Sequence, residues 1–140
     1  MNDHRRTDQR TRRREFRITV GLREGYHKDG RLHLADEVTQ VAADWMAERL
    51  ALGEPVISGM ITAGEVIYAG KARGGGVEQG REPVAIFAGE VIGTVAAGLA
   101  DAAVEAQLNE LAQRLGQDLA QEHVTVAYRD ESWVVSIGTY

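Results

Sequence analysis

Hydrophobic positions along the chain switch between two periods. Phe16, Ile18, Val20 and Leu22 point one way and Arg17, Thr19 and Gly21 the other, which predicts a strand with one buried face. From Leu34 to Leu52 the spacing becomes helical: Leu34, Val38, Val41, Ala42, Trp45 and Leu52 share a face, and Gly53 with Pro55 ends the run. A second helical stripe, Val104, Leu108, Leu111, Leu115 and Leu119, opens at Asp101 as N-cap and runs to about Gln121. Two alternating runs close the chain, Val124/Val126/Tyr128 and Trp133/Val135/Ile137, with Arg129-Asp130-Glu131-Ser132 turning between them.

Between the helices one short pattern occurs twice. Glu54-Pro55-Val56 leads to Ala63-Gly64-Glu65-Val66-Ile67, and Glu82-Pro83-Val84 leads to Ala88-Gly89-Glu90-Val91-Ile92. Both copies are rich in β-branched residues and open on proline, which is tolerated at a strand start. They predict two antiparallel strands joined by a long mobile tip, the glycine-dense stretch from Gly70 to Arg81. A hairpin centred near Gly76 sets Glu65 opposite Phe87 and offset from Glu90. An alternative splits the first copy at Ala63-Gly64 into a small hairpin of its own. Both strands are apolar on both faces: Val84, Ile86 and Ala88 on one side, Ala85, Phe87 and Val91 on the other.

The resulting order, β-α-β-β-α-β-β, predicts an α+β fold. It is the ferredoxin-like split βαβ arrangement with an extra C-terminal strand and two helices on one face of an antiparallel sheet. Two helices leave the other face of the central hairpin uncovered, so a homo-oligomer built through residues 56–69 and 84–92 is expected. The layout of helix, long β-hairpin and helix resembles that of the small trimeric ferredoxin-like proteins, the PII signalling proteins and CutA. No signature motif of either family is present, so no functional residue is carried over.

The 140 residues suit one domain, expected at 16–140 after a disordered basic tail at 1–15. The absence of cysteine excludes disulfides and thiolate metal sites, and a charged N-terminus without an apolar core predicts no secretory signal; a cytoplasmic protein is the expectation. Charge is divided unevenly. Residues 1–17 hold seven arginines against Asp3, Asp8 and Glu15, a net +4 within a chain of net −5, so the body carries −9. Such a body repels nucleic acid and leaves only the tail to attract it, and the tail has no interleaved aromatic to stack on bases.

Candidate chemistry falls in two places. At the hairpin tip, Lys71, Arg73 and Arg81 surround Gly74-Gly75-Gly76, a pattern suited to an anion held by backbone N–H groups and cations. It lacks the Lys-Ser/Thr ending of a Walker loop. The first loop offers His27 and His33 with Glu24 and Asp29, a histidine–carboxylate set suited to acid–base work. No metal-ligand spacing is present, no cofactor is indicated, and His123 joins that loop only through the fold. Three classes of function follow: an oligomeric module binding an anionic small molecule near residues 71–81; a small isomerase- or lyase-type enzyme using the loop; and a structural, self-assembling protein.

Overall fold

A computed structural model describes residues 12–26, 29–92 and 98–138. His27 and residues 1–11 of the expected tail lie outside them. Seven elements follow in order: β1 (Glu15–Gly21), α1 (Ala35–Ala51), β2 (Met60–Lys71), β3 (Val77–Glu90), α2 (Asp101–Asp118), β4 (His123–Tyr128) and β5 (Glu131–Ser136). A single 3₁₀ turn, Glu24–Tyr26, lies between β1 and α1. The strands form one antiparallel sheet ordered β2-β3-β1-β4-β5. This is the ferredoxin-like split βαβ order, with β5 added beside β4.

The alternation in β1 decides which side of the sheet is dry. Phe16, Ile18 and Val20 are buried, and their partners across the β1–β3 ladder, Gly89, Phe87 and Ala85, face the same side. Both helices pack there. Val38, Ala42 and Trp45 of α1 and Val104, Leu108, Leu111 and Leu115 of α2 complete one core with Val124, Val126 and Tyr128 of β4. Ile57, in the segment between α1 and β2, belongs to the same core, and Gln107 holds that segment by bonding Pro55 O and the Ile57 N–H. Leu34 and Leu52 do not join it. They flank α1 and are 64% and 73% exposed, because helical spacing carries the apolar stripe off the covered face at both ends.

The opposite, open face carries Arg17 and Thr19 from β1, Ile86 and Ala88 from β3, and Met60 and Thr62 from β2, as the registers dictate.

Three expectations about the central hairpin are corrected. Its turn is short: Ala72 donates to Gly76 O at 2.7 Å and Gly75 to Ala72 O at 3.1 Å, with Gly74 and Gly75 at φ +92° and +98°. The residues from Val77 to Arg81 are strand, paired with Ile67 to Lys71. The turn therefore centres the hairpin near Gly74, and Glu65 faces Pro83 rather than Phe87. Finally, residues 54–59 are irregular, and β2 begins only at Met60 and continues unbroken through Ala63-Gly64. Backbone ladders need only N–H and C=O groups, so a polar, glycine-rich stretch pairs as readily as an apolar one when its partner is in register.

The N-terminal boundary also moves. Glu15 is in β1, and Val91 donates to Arg14 O at 3.0 Å. The Arg14 guanidinium reaches Tyr128 Oη at 2.9 Å, Leu99 O at 2.6 Å and Asp101 Oδ1 at 3.1 Å. Tyr128 donates its hydroxyl to Asp101 Oδ1 at 2.5 Å, and Arg129 donates to Asp101 Oδ2 at 3.0 Å.

That cluster makes an acid-sensitive contribution. The Tyr128 hydroxyl, opposed by some burial and helped by Arg129 and Arg14, holds the Asp101 carboxyl below the usual carboxylate range. Burial works to raise Glu110, but bonds from Trp45 and Arg49 prevail and keep it low. A carboxylate depressed in the folded state stabilises above its unfolded pKa of about 4, and that stability is lost as pH falls through the folded value. The urea midpoint is therefore expected to hold from neutrality to about pH 5 and to drop below about pH 4. Asp101→Asn is expected to lower the midpoint at pH 7 and to converge on wild type below pH 3; parallel curves across the whole range would remove Asp101 from the account.

Candidate functional site

β2 and β3 are longer than the strand that supports them. β1 covers β3 only from Val84 to Glu90, so Glu65–Lys71 and Val77–Pro83 run on as a two-stranded ribbon. Val66, Ile67, Tyr68 and Val77 on it are 46–76% exposed. A two-stranded ribbon is marginal in water by itself, and β2 is also the edge of the sheet among the described residues. At Gly80, opposite Tyr68, a Cβ would meet the phenol ring at 2.1 Å, so glycine lets the ring lie across the strand. A groove of about 530 Å³ runs beside it, lined by Ile67, Tyr68, Gln79, Gly80 and Arg81.

Where the ribbon leaves the sheet, on the open face, lies a smaller cavity of about 270 Å³. Val66 and Val84 give it an apolar wall; Thr19, Glu82, Gln121 and His123 are among its polar lining. His123 thus belongs to this cavity, brought there by alternation along β4. Among the described residues, no group of three or more histidines and carboxylates is placed to hold a metal.

The first loop is brought together and closed. His33 is 4% exposed, with Nε2 at 2.6 Å from Glu24 Oε2 and Nδ1 at 2.9 Å from Glu37 Oε2. Glu37 also accepts the Leu34 N–H at 2.7 Å and the Arg31 guanidinium at 3.1 Å, and the Leu34 bond is the first cause that holds its carboxyl low. Both ring nitrogens are engaged, so His33 serves as a clamp tying the 3₁₀ turn to the start of α1. Glu37 was not among the candidate site residues, only a carboxylate suited to the start of the helix; its position three residues after Leu34 in the first helical turn was the available signal. Asp29 is exposed and makes none of these bonds.

The cations expected at the hairpin tip are spread out. Arg73 is in the turn and Lys71 pairs with Val77, but Arg81 pairs with Ile67, four residue steps away and so roughly 13 Å along the strand. The glycine turn also spends its Gly75 N–H on Ala72 O. The three do not surround one point at the glycines.

Comparison with known proteins places the fold. No family model matches the chain, and no curated protein is significantly similar to it. Among solved structures it is similar to a phage SAM lyase in complex with S-methyl-5'-thioadenosine, at 21% identity and a TM-score of 0.58, covering 91% of this chain and 92% of that one. The same description in the apo state matches at 20% identity and a TM-score of 0.54, covering 91% of both. This likeness defines the class as an α+β sheet protein of ferredoxin-like layout. Among the described residues no helix is long and apolar enough to cross a membrane.

Proposed function

We propose that this protein is a lyase of S-adenosylmethionine that releases S-methyl-5'-thioadenosine and works as a homo-oligomer. The observation that carries the reading is the end-to-end match to a lyase structure holding that thioether. Charge supports it: the substrate is a sulfonium cation, and the chain has a net charge of −5. In the reaction the bond from sulfur to the γ-carbon of the amino-acid arm breaks and the electron pair stays on sulfur, so a cation becomes a neutral thioether. The arm departs either with its own carboxylate oxygen on that carbon or, after loss of a β-proton, as an alkene. We assign the reaction to the open face at the root of the ribbon rather than to the closed His33 clamp.

The oligomer belongs to the same reading, with the interface at residues 56–69 and 84–92 on their open-face side. A second copy seated there covers the apolar ribbon and narrows the two concavities beside it. The cytoplasmic setting expected from the sequence also belongs here, since the substrate is an intracellular metabolite.

The test is incubation of the full chain with S-adenosylmethionine and chromatography for S-methyl-5'-thioadenosine. Saturable, enzyme-dependent release is expected, and the proton NMR spectrum of the arm product, which shows vinyl signals for the alkene and none for its isomer the lactone, distinguishes the two. No release above the spontaneous rate, together with no thermal shift by the substrate, would overturn the reading.

A further inference from the structure

Gln121 is 2% exposed, and its side chain has an unusual balance of bonds. The amide nitrogen donates to Arg23 O at 2.8 Å and to Leu119 O at 3.1 Å. Two carbonyl oxygens accept only from the NH₂ end, so they fix the orientation of the carboxamide. Its oxygen, Oε1, is buried and has no hydrogen-bond partner among the described residues. A buried acceptor in that condition is costly and calls for a donor.

The oxygen points to the open-face cavity. Gly21 continues β1 on the side of Arg17 and Thr19, and a Cβ placed on it would stand 2.5 Å from Gln121 Oε1. Gly21 and Gln121 both line the cavity, together with the half-buried Glu82, the hydroxyls of Thr19 and Thr125, and the side chains of Arg23 and His123. Glycine at 21 is what gives the carboxamide room to reach the sheet surface.

We propose that Gln121 Oε1 and the Glu82 carboxylate receive the α-ammonium group of the substrate's amino-acid arm. This rests on the lyase reading and names the subsite within it. An ammonium fits because it brings a positive charge to Glu82 and three N–H donors to acceptors already in place. A ligand hydroxyl brings one donor and no charge.

The experiment compares S-adenosylhomocysteine, which keeps the arm and is not a sulfonium, with S-methyl-5'-thioadenosine, which lacks the arm. Affinities are measured by calorimetry for wild type, Gln121→Leu, Glu82→Gln and Gly21→Ala. Each substitution is expected to weaken the arm-bearing ligand at least tenfold and to leave the thioether within about twofold. Glu82→Gln, at a half-buried ribbon position, keeps the test valid if Gln121→Leu fails to fold. Equal losses for both ligands, or no loss for either, would overturn the subsite; the second result with lowered stability of Gln121→Leu alone marks a structural acceptor only. If wild type binds neither nucleoside, the lyase reading fails by itself. The ammonium site is then judged by titrating L-methionine and following the Gln121 side-chain amide signals by NMR: displacement supports it and unmoved signals overturn it.

Discussion

Phe87→Asp is expected to abolish folding, while Ile86→Asp, one residue earlier, leaves a folded chain that no longer assembles. Phe87 is 2% exposed, packs at 5.5 Å from the Phe16 ring, and belongs to the core. A carboxylate there has no partner and removes a large apolar side chain; the cost is at least about 4 kcal/mol, a large share of the roughly 5–15 kcal/mol that holds a domain together. Ile86 sits opposite Thr19 and Thr62 on the open face and is only half-buried. Its aspartate stays hydrated in a single chain and is desolvated only at a subunit boundary. Circular dichroism with light scattering separates the two: lost secondary structure for the first, native structure at 15.3 kDa for the second. An Ile86→Asp protein that unfolds, or one that scatters as wild type does, would sink the assignment of the open face. Phe87 and Ile57 fall within the segments that the sequence assigns to the interface, and both are core residues.

Loss of Arg14 is expected to lower stability sharply where loss of the residues before it does not. Its guanidinium is mostly buried and supplies Tyr128, Leu99 O and Asp101 together. Arg14→Ala leaves the Leu99 carbonyl and one side of the Tyr128 hydroxyl without that donor, a cost of about 1–3 kcal/mol. In a chain of this size that is a fall in Tm on the order of 5 °C or more. Among the described residues, truncation that stops before Arg14 removes only the exposed Arg13 pairs with Glu15 and Glu90, which contribute at most about 1 kcal/mol. A thermal scan of the truncation beside Arg14→Ala reads the difference, and equal midpoints would mean that the Arg14 cluster contributes nothing. The composition of residues 1–14 predicted that their loss would leave folding unchanged; Arg14 escapes that rule because its partners lie 85 to 114 positions away.

What the sequence by itself determined is the part of the structure that periodicity encodes. The alternation of Phe16, Ile18 and Val20 and the stripe from Val104 to Leu119 state local faces, and a face that must be buried leaves few ways to order seven elements. The fold class and the uncovered hairpin face follow from that. Tertiary structure alone decided the rest, because pairing partners distant in the chain leave no local signature. The ladder from Lys71 to Val77 turned an apparent mobile tip into strand and carried Arg81 away from the glycines. His33 became a buried clamp, in which Glu37, not a candidate site residue from the sequence, takes half the contacts. Gln121 reads as the polar end of a helix until the sheet brings Gly21 beneath it, and only that approach leaves its oxygen facing a cavity without a donor.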